Sequence, residues 1–153
     1  MWQNFWNLRT NDRLAQWMDI RHRLSDLPLS EAVGELNQFW STAPFVTYYL
    51  APDAPSTWPD PWTLLAENYY CDLAKALGIV YTIYFTSHKS VDVELHIYYD
   101  YTAKERYNVA WIDGGKYILN FWPYEIVNTE QVEEKQLQLL YRYSSTDLAL
   151  EKY

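Results

Sequence analysis

The sequence is poor in glycine, with four in 153 residues, and it holds a single cysteine, Cys71. So few glycines leave no phosphate-cradling loop: neither a P-loop nor a dinucleotide fingerprint is present, and the G-x-S-x-G elbow of a serine hydrolase is missing too. No nucleotide or other cofactor is therefore expected. One cysteine excludes an intrachain disulfide and fits a reducing compartment. Cations are also scarce, with 12 Lys and Arg against 20 Asp and Glu, a net charge of −8. Nucleic-acid affinity rests mainly on neutralising phosphates with Lys and Arg, so no nucleic-acid partner is expected. The one basic cluster, Arg13, Arg21, His22 and Arg23, is interleaved with Asp12, Asp19 and Asp26 and reads as a solvated helix face. No apolar run approaches the ~18 residues of a membrane span. The start, Met1-Trp2-Gln3-Asn4-Phe5-Trp6, lacks the basic and apolar regions of a signal peptide. No membrane partner is expected, and the protein should stay where it is synthesised.

Aromatic residues are what the chain has in excess: 15 Tyr, 8 Trp and 5 Phe. Large rings bury much area at low entropy cost, and Tyr and Trp keep a polar tip. They exceed what one small core takes, and such residues are enriched in protein interfaces. Surface docking rings are therefore expected, with Trp2, Phe5 and Trp6 at the start and Trp58 and Trp62 in Trp58-Pro59-Asp60-Pro61-Trp62 as candidates. The two prolines would hold the last pair rigid, which lowers the ordering cost of binding. That pair reads either as a lid and staple on the fold or as a platform for a protein or a sugar ring.

The length suits one domain, residues 1–153, and hydrophobic residues at 49% can build its core. Residues 10–25 read as an amphipathic helix capped by Asn11, ended by Leu27-Pro28. Ser30 should cap a second helix that runs to about Thr42, so that residues 1–42 form a helical hairpin. Residues 43–60 carry four prolines and form a long connection. Asp60 as N-cap, Pro61 at the first helical position and Gly78 past the end predict a central helix over 61–78. After Gly78 the pattern changes to strands: 79–85, 91–99, 107–112 and 116–121, the last two joined through Asp113-Gly114-Gly115. The class is α+β, with helices packed on an antiparallel β-meander of four or five strands over 79–121. In the C-terminal segment, 122–153, a short helix over 129–134 and a fifth strand over 136–143 are expected, with one continuous helix through both as the competing reading.

Little in the sequence suggests catalysis. A nucleophilic cysteine needs a helix N-terminus, a basic neighbour or an imidazolium. Cys71 falls inside the predicted central helix beside Asp72, and reads as small and inert. His22, His88 and His96 lack the spacing of a zinc site. His96 alternates with outward-facing strand residues and is expected at the surface, and His88 belongs to a polar turn. Asp92 and Glu94 share a strand face, which twenty acids make unremarkable. No catalytic and no metal-binding residue is assigned.

Two resemblances add to this reading. Ala74-Lys75-Ala76-Leu77-Gly78-Ile79, followed by antiparallel strands and Gly-Gly-Lys-Tyr-Ile-Leu-Asn, resembles the core of the transglutaminase-like (papain-type) superfamily over residues 60–121. There a nucleophilic Cys starts the helix, a His begins a later strand and an Asp ends the next. Matched back from Gly78, the Cys position falls near Thr63, the Asp position on Asn120, and the His position near His96 or Asn108. The resemblance thus implies an enzyme fold that has lost its nucleophile. Leu27-Pro28-Leu29, Ala43-Pro44-Phe45, Tyr48-Tyr49-Leu50 and the Trp58–Trp62 stretch are similar to small proteins of contractile-tailed bacteriophages, over roughly residues 24–85. That resemblance implies a virion or assembly component.

The expected function is accordingly non-enzymatic: a structural or protein-interaction part of a tailed-phage particle, in its neck, baseplate or capsid. Its partners would be other virion proteins in symmetric multiple copies, and its place the virion, assembled in the host cytoplasm. The alternatives are a transglutaminase-like cysteine hydrolase or acyl transferase, and a carbohydrate-binding module.

Overall fold

Prolines 28 and 44 stop helices, and the first layer of the fold follows from them. In the computed structural model, which describes residues 4–153, α1 (Thr10–Ser25) and α2 (Leu29–Ser41) form the expected pair. The candidate docking residue Trp2 lies outside the described residues. Neither Asn11 nor Ser30 caps a helix. α1 starts behind Arg9 and α2 behind Pro28, both extended, with no capping side chain. Arg13 is not part of a solvated face. It is buried, and its guanidinium donates to the carbonyls of Trp6, Leu8, Leu65 and Glu67, tying the N-terminal turn Phe5–Asn7 to the middle of the chain.

The central helix is in fact two. Asp60 caps α3 (Pro61–Leu65) as expected, accepting the Thr63 N–H at 2.8 Å, but the helix ends after five residues. In the link that follows, Tyr70 turns fully inward and its hydroxyl donates to the carbonyls of Leu64 and Glu67. Its backbone forms a short parallel bridge with Phe45: the Tyr70 N–H donates to the Pro44 carbonyl, and the Val46 N–H to the Tyr70 carbonyl. The chain then restarts as α4 (Asp72–Tyr84). Gly78 therefore sits in mid-helix rather than past a C-terminus, and the strand expected over 79–85 is helical through Tyr84. Ile79, Val80, Thr82 and Ile83 are all buried. A helix apolar on every side belongs in a core, and there packing overrides the β propensity of branched residues.

Gly78 has a steric role. A Cβ there would overlap Cη2 and Cζ2 of the Trp40 indole. α2 and α4 can approach this closely only across a glycine. Thr82, one turn on, accepts from the indole N–H groups of both Trp17 and Trp40, each at 3.1 Å, and donates to the Gly78 carbonyl.

The layer of α1 to α4 covers one face of a five-stranded antiparallel sheet in the order β4-β3-β2-β1-β5. β1 (Val93–Asp100), β2 (Glu105–Ile112), β3 (Tyr117–Trp122) and β4 (Glu125–Val127) form the meander. After α5 (Thr129–Glu134), closed by the Asn128/Gln131 capping box, β5 (Gln138–Ser144) returns beside β1. The α+β class and the antiparallel sheet are as expected. At the β2–β3 hairpin, Asp113, Gly114 and Gly115 all have positive φ, the conformation that favours an Asp-Gly turn. Leu95, Ile97, Ala110, Ile112 and Leu119 face the helices, whereas Tyr98, Tyr107, Val109, Ile118 and Phe121 pack on the far side with Val132 of α5.

Candidate active site

The restart at α4 leaves Cys71 in the N-cap position and Asp72 as the first helical residue. Cys71 is not mid-helix. It has extended backbone angles, its side chain makes no capping bond, and it is buried. The first-turn amides of a helix have no intrahelical acceptor, and the helix dipole makes that end favourable to negative charge.

Two strands meet this helix end. Asn108 of β2 pairs with Ile97 and lies on the helix-facing side; its Nδ2 donates to Asp72 Oδ2 at 2.9 Å. Asn120 of β3 has φ 69°, a left-handed conformation that asparagine tolerates better than most residues. This turns its amide toward α4, where Nδ2 lies 3.2 Å from Asp72 Oδ1, 3.1 Å from the Asp72 carbonyl and 2.9 Å from the Asn108 carbonyl. Burial raises the Asp72 pKa above its ordinary value, while the two asparagine amides and Lys75 work to lower it. Burial likewise lowers the Lys75 pKa, against the pull of Asp72. Asn108 is 2% exposed, yet its Oδ1 has no hydrogen-bond partner.

The helix end opens on a cleft with two lobes. One, about 230 Å³, is lined by Cys71, Asp72, Asn108, Arg106 and the loop residues Phe45 and Tyr48, among others. The other, about 310 Å³, shares Phe45, Asp72 and Arg106 and adds Lys75, Asn120 and Phe121. The Pro44–Val46 bridge to Tyr70 holds the aromatic loop over the cleft. Arg106 lies 5.1 Å from the Tyr48 ring, and Lys75 lies 5.8 Å from the Phe45 ring.

The described docking candidates, Phe5, Trp6, Trp58 and Trp62, do not line this cleft. Phe5 is buried. Trp6 is half-buried, stacked on Phe39 at 5.0 Å, with its indole N–H on Thr42 Oγ1. Trp58 packs edge-on against Tyr143 and donates to the Ala51 carbonyl. Trp62 remains 43% exposed beside Phe85 and Tyr153.

His96 is not a surface residue. It is 5% exposed, stacks on Trp111 at 4.4 Å, and bridges Glu94 Oε1 and the Tyr98 hydroxyl on the far side of the sheet. Burial lowers its pKa, with Glu94 opposing. Burial works to raise the Glu94 pKa, but Arg142 and His96 together hold it below the ordinary value. Because His96 and α4 occupy opposite faces, Asn108 and not His96 stands in the strand position next to the helix end. His88 is tied to the carbonyls of Leu24 and Leu27. Among the described residues no group of three or more His, Cys, Asp or Glu side chains is placed to hold a metal ion.

A helix that begins at a cysteine, with asparagines of two successive antiparallel strands laid against its first turn, resembles the transglutaminase-like core. The fold as a whole is similar to that of solved structures. LapG of Legionella pneumophila, a transglutaminase-like cysteine protease, superposes with a TM-score of 0.70 in its EGTA-treated form, at 13% identity, over 89% of this chain and 74% of LapG. Its calcium-bound form gives 0.69 at 14% identity, over 89% and 76%. No family model matches the sequence, and no curated protein matches it.

The likeness overturns two expectations drawn from the sequence: that the chain is a non-enzymatic phage-particle component, and that it is not an enzyme. Its structural neighbours are an enzyme, and no comparison supports a virion or bacteriophage identity. The error traces to the helix break. Counting back from Gly78 as a helix end put the nucleophile position at Thr63, whereas the helix that meets the strands begins at Cys71-Asp72. Tyr70, an aromatic between two helical runs, gave no signal that the chain would dive into the core there.

Proposed function

We propose that the chain is a hydrolase or acyl transferase of the transglutaminase-like kind, reacting with an amide or ester carbonyl at the N-terminal end of α4. One observation carries this reading. Cys71 and Asp72 share a cavity with Asn108, and Asn120 closes on Asp72 from the next strand. The strand positions hold amides in place of the expected His and Asp, so Asp72 is the group left to move protons. Its raised pKa makes the carboxylate a better base than an exposed one. The Asn108 and Asn120 amides each hold one of its oxygens.

In the proposed reaction Cys71 Sγ attacks the carbonyl carbon while its proton passes to Asp72. The uncapped first-turn amides receive the developing oxyanion. Asp72 then protonates the leaving amine or alkoxide as the C–N or C–O bond breaks, leaving a thioester on Cys71. Water, or an acceptor amine, attacks the thioester and gives a proton to Asp72. The acyl group leaves as acid or new amide, and the thiol is restored.

Turnover of p-nitrophenyl esters and fluorogenic peptide amides, with and without an amine acceptor, tests the proposal together with mass spectrometry for the acyl-enzyme. Cys71→Ala and Asp72→Asn should each lower kcat/KM by about 100-fold or more, the scale of general acid–base and nucleophilic contributions. Retained activity in Cys71→Ala with loss in Asp72→Asn would move the attack from the thiol to an Asp72-activated water. No turnover of any substrate, or turnover indifferent to both substitutions, would refute the reading.

A further inference from the structure

We infer that the cleft selects a peptide segment bearing a carboxylate side chain beside the carbonyl that reacts; this rests on the catalytic reading above and adds its substrate class. The first ground is charge. In a chain of net charge −8, the cleft gathers Arg106 and Lys75, and Asp72 is the one acidic side chain that lines either lobe among the described residues. Among the described residues the Arg and Lys ion pairs lie elsewhere, on Arg23 and Arg142, not on these two cations. Cations concentrated against the sign of the whole chain are a selective feature of the cleft, since the surrounding surface repels the ligand they attract.

The second ground is an unmade pair of hydrogen bonds. Arg106 Nε and Asn108 Oδ1 are both buried atoms without partners. A buried polar atom left unpaired is unfavourable, so a ligand whose entry turns both atoms toward it and pairs them gains affinity from doing so. Arg106 and Asn108 are two apart on β2, so they project from the same face of the strand, and both line the smaller lobe. One offers a cationic donor and the other an acceptor. The complementary ligand presents an anionic acceptor and, beside it, an N–H donor. An acidic residue in an extended peptide offers both, its carboxylate to Arg106 and a backbone N–H to Asn108.

The third ground is the rim. Phe45 and Tyr48 are 62% and 57% exposed, and each ring lies beside one of the two cations. Cation–π contact orients a charged side chain without neutralising it, and the exposed ring faces offer apolar area to the flanking residues of a peptide. A free small carboxylate would use the cations and leave the rim idle.

Equilibrium binding tests this apart from turnover. The full chain with Cys71→Ser is titrated at low salt with acetylated, amidated Ala-Ala-Asp-Ala-Ala, with its Asn counterpart, and with succinate. The Asp peptide should bind at least 10-fold more tightly than the Asn peptide, with the preference shrinking as salt rises. Arg106→Gln and Lys75→Gln should each reduce the preference several-fold. Arg106→Lys should keep part of it, and Lys116→Gln, in the distant hairpin, all of it. Equal binding of the two peptides, or a preference indifferent to both cleft substitutions, overturns the inference; so does succinate binding as tightly as the Asp peptide. Tight, selective binding without turnover in the unsubstituted chain would sink the catalytic reading and leave this one standing. Turnover of Asp and Asn peptides with the same kcat/KM would do the reverse.

Discussion

Replacing Gly78 with alanine sets two effects of opposite sign against each other. In a helix interior alanine is favoured over glycine by about 1 kcal/mol. At Gly78 the added methyl would overlap the Trp40 indole and come within 2.7 Å of its Cε2. The indole has little room to yield. It is 1% exposed, its N–H is held by Thr82 at 3.1 Å, and Tyr70 and Trp6 flank it with ring centroids 5.3 Å away. Overpacking a core costs about 1–3 kcal/mol, and displacing the indole N–H from its acceptor roughly 1–3 more. Sterics win, and Gly78→Ala should be destabilised by about 1–5 kcal/mol net of the propensity gain. For a chain of this length that lowers Tm by roughly 2–20 °C. Thermal unfolding followed by circular dichroism measures it. Trp40→Phe should relieve the overlap, so the double variant should be less destabilised than the sum of the two single changes. A Gly78→Ala protein as stable as the parent, or more so, would refute this account of how α2 and α4 pack.

Other outcomes follow from the buried polar groups. Thr82→Val strips the acceptor from the indoles of Trp17 and Trp40 and should cost roughly 2–5 kcal/mol in urea melts; a loss below about 0.5 kcal/mol would mean the indoles find other partners. Asp72 has a folded pKa raised above 3.8, so the folded state binds more protons than the unfolded one from pH 3.8 up to the folded value. Stability from this group therefore falls as pH rises across that window. Asp72→Asn should abolish that fall and leave the protein at least as stable at pH 7, even as activity is lost; a less stable variant at pH 7 would count against it. His96 has a folded pKa lowered from 6.5, so its contribution is lost as pH falls below 6.5, and Glu94 adds a further loss below 4.5. In His96→Asn the stability–pH curve should be flatter just below pH 6.5; an unchanged slope would remove His96 as its source.

Some of this was legible in the sequence for local reasons. A helix cap such as Asp60 acts within four residues, so it can be read from the string, and it holds. The same is true of the alternating strand 91–99, observed as β1 over Val93–Asp100, and of the Asp113-Gly114-Gly115 turn. The α+β class follows from such signals together.

Other features needed partners remote in sequence. Nothing local distinguishes a glycine that ends a helix from one that admits the Trp40 ring 38 residues upstream. The branched run after Gly78 is helical because the layers above and below bury it on every side, which outweighs its strand propensity. Periodicity places Arg13 and His96 at the surface, because it cannot see the carbonyls, Glu94 or Trp111 that receive them. The candidate site is the clearest case. Cys71 and Asp72 were visible as a dipeptide, and Asn120 as a position, but only the inward turn of Tyr70 makes them the start of a helix. Only the pairing of β2 with β3 then brings Asn108 and Asn120 to the same carboxylate. Sequence determined the elements that short-range hydrogen bonds and periodicity specify. Tertiary structure decided the site, because its groups converge through contacts between residues 12 to 48 positions apart, whose closure depends on the whole core.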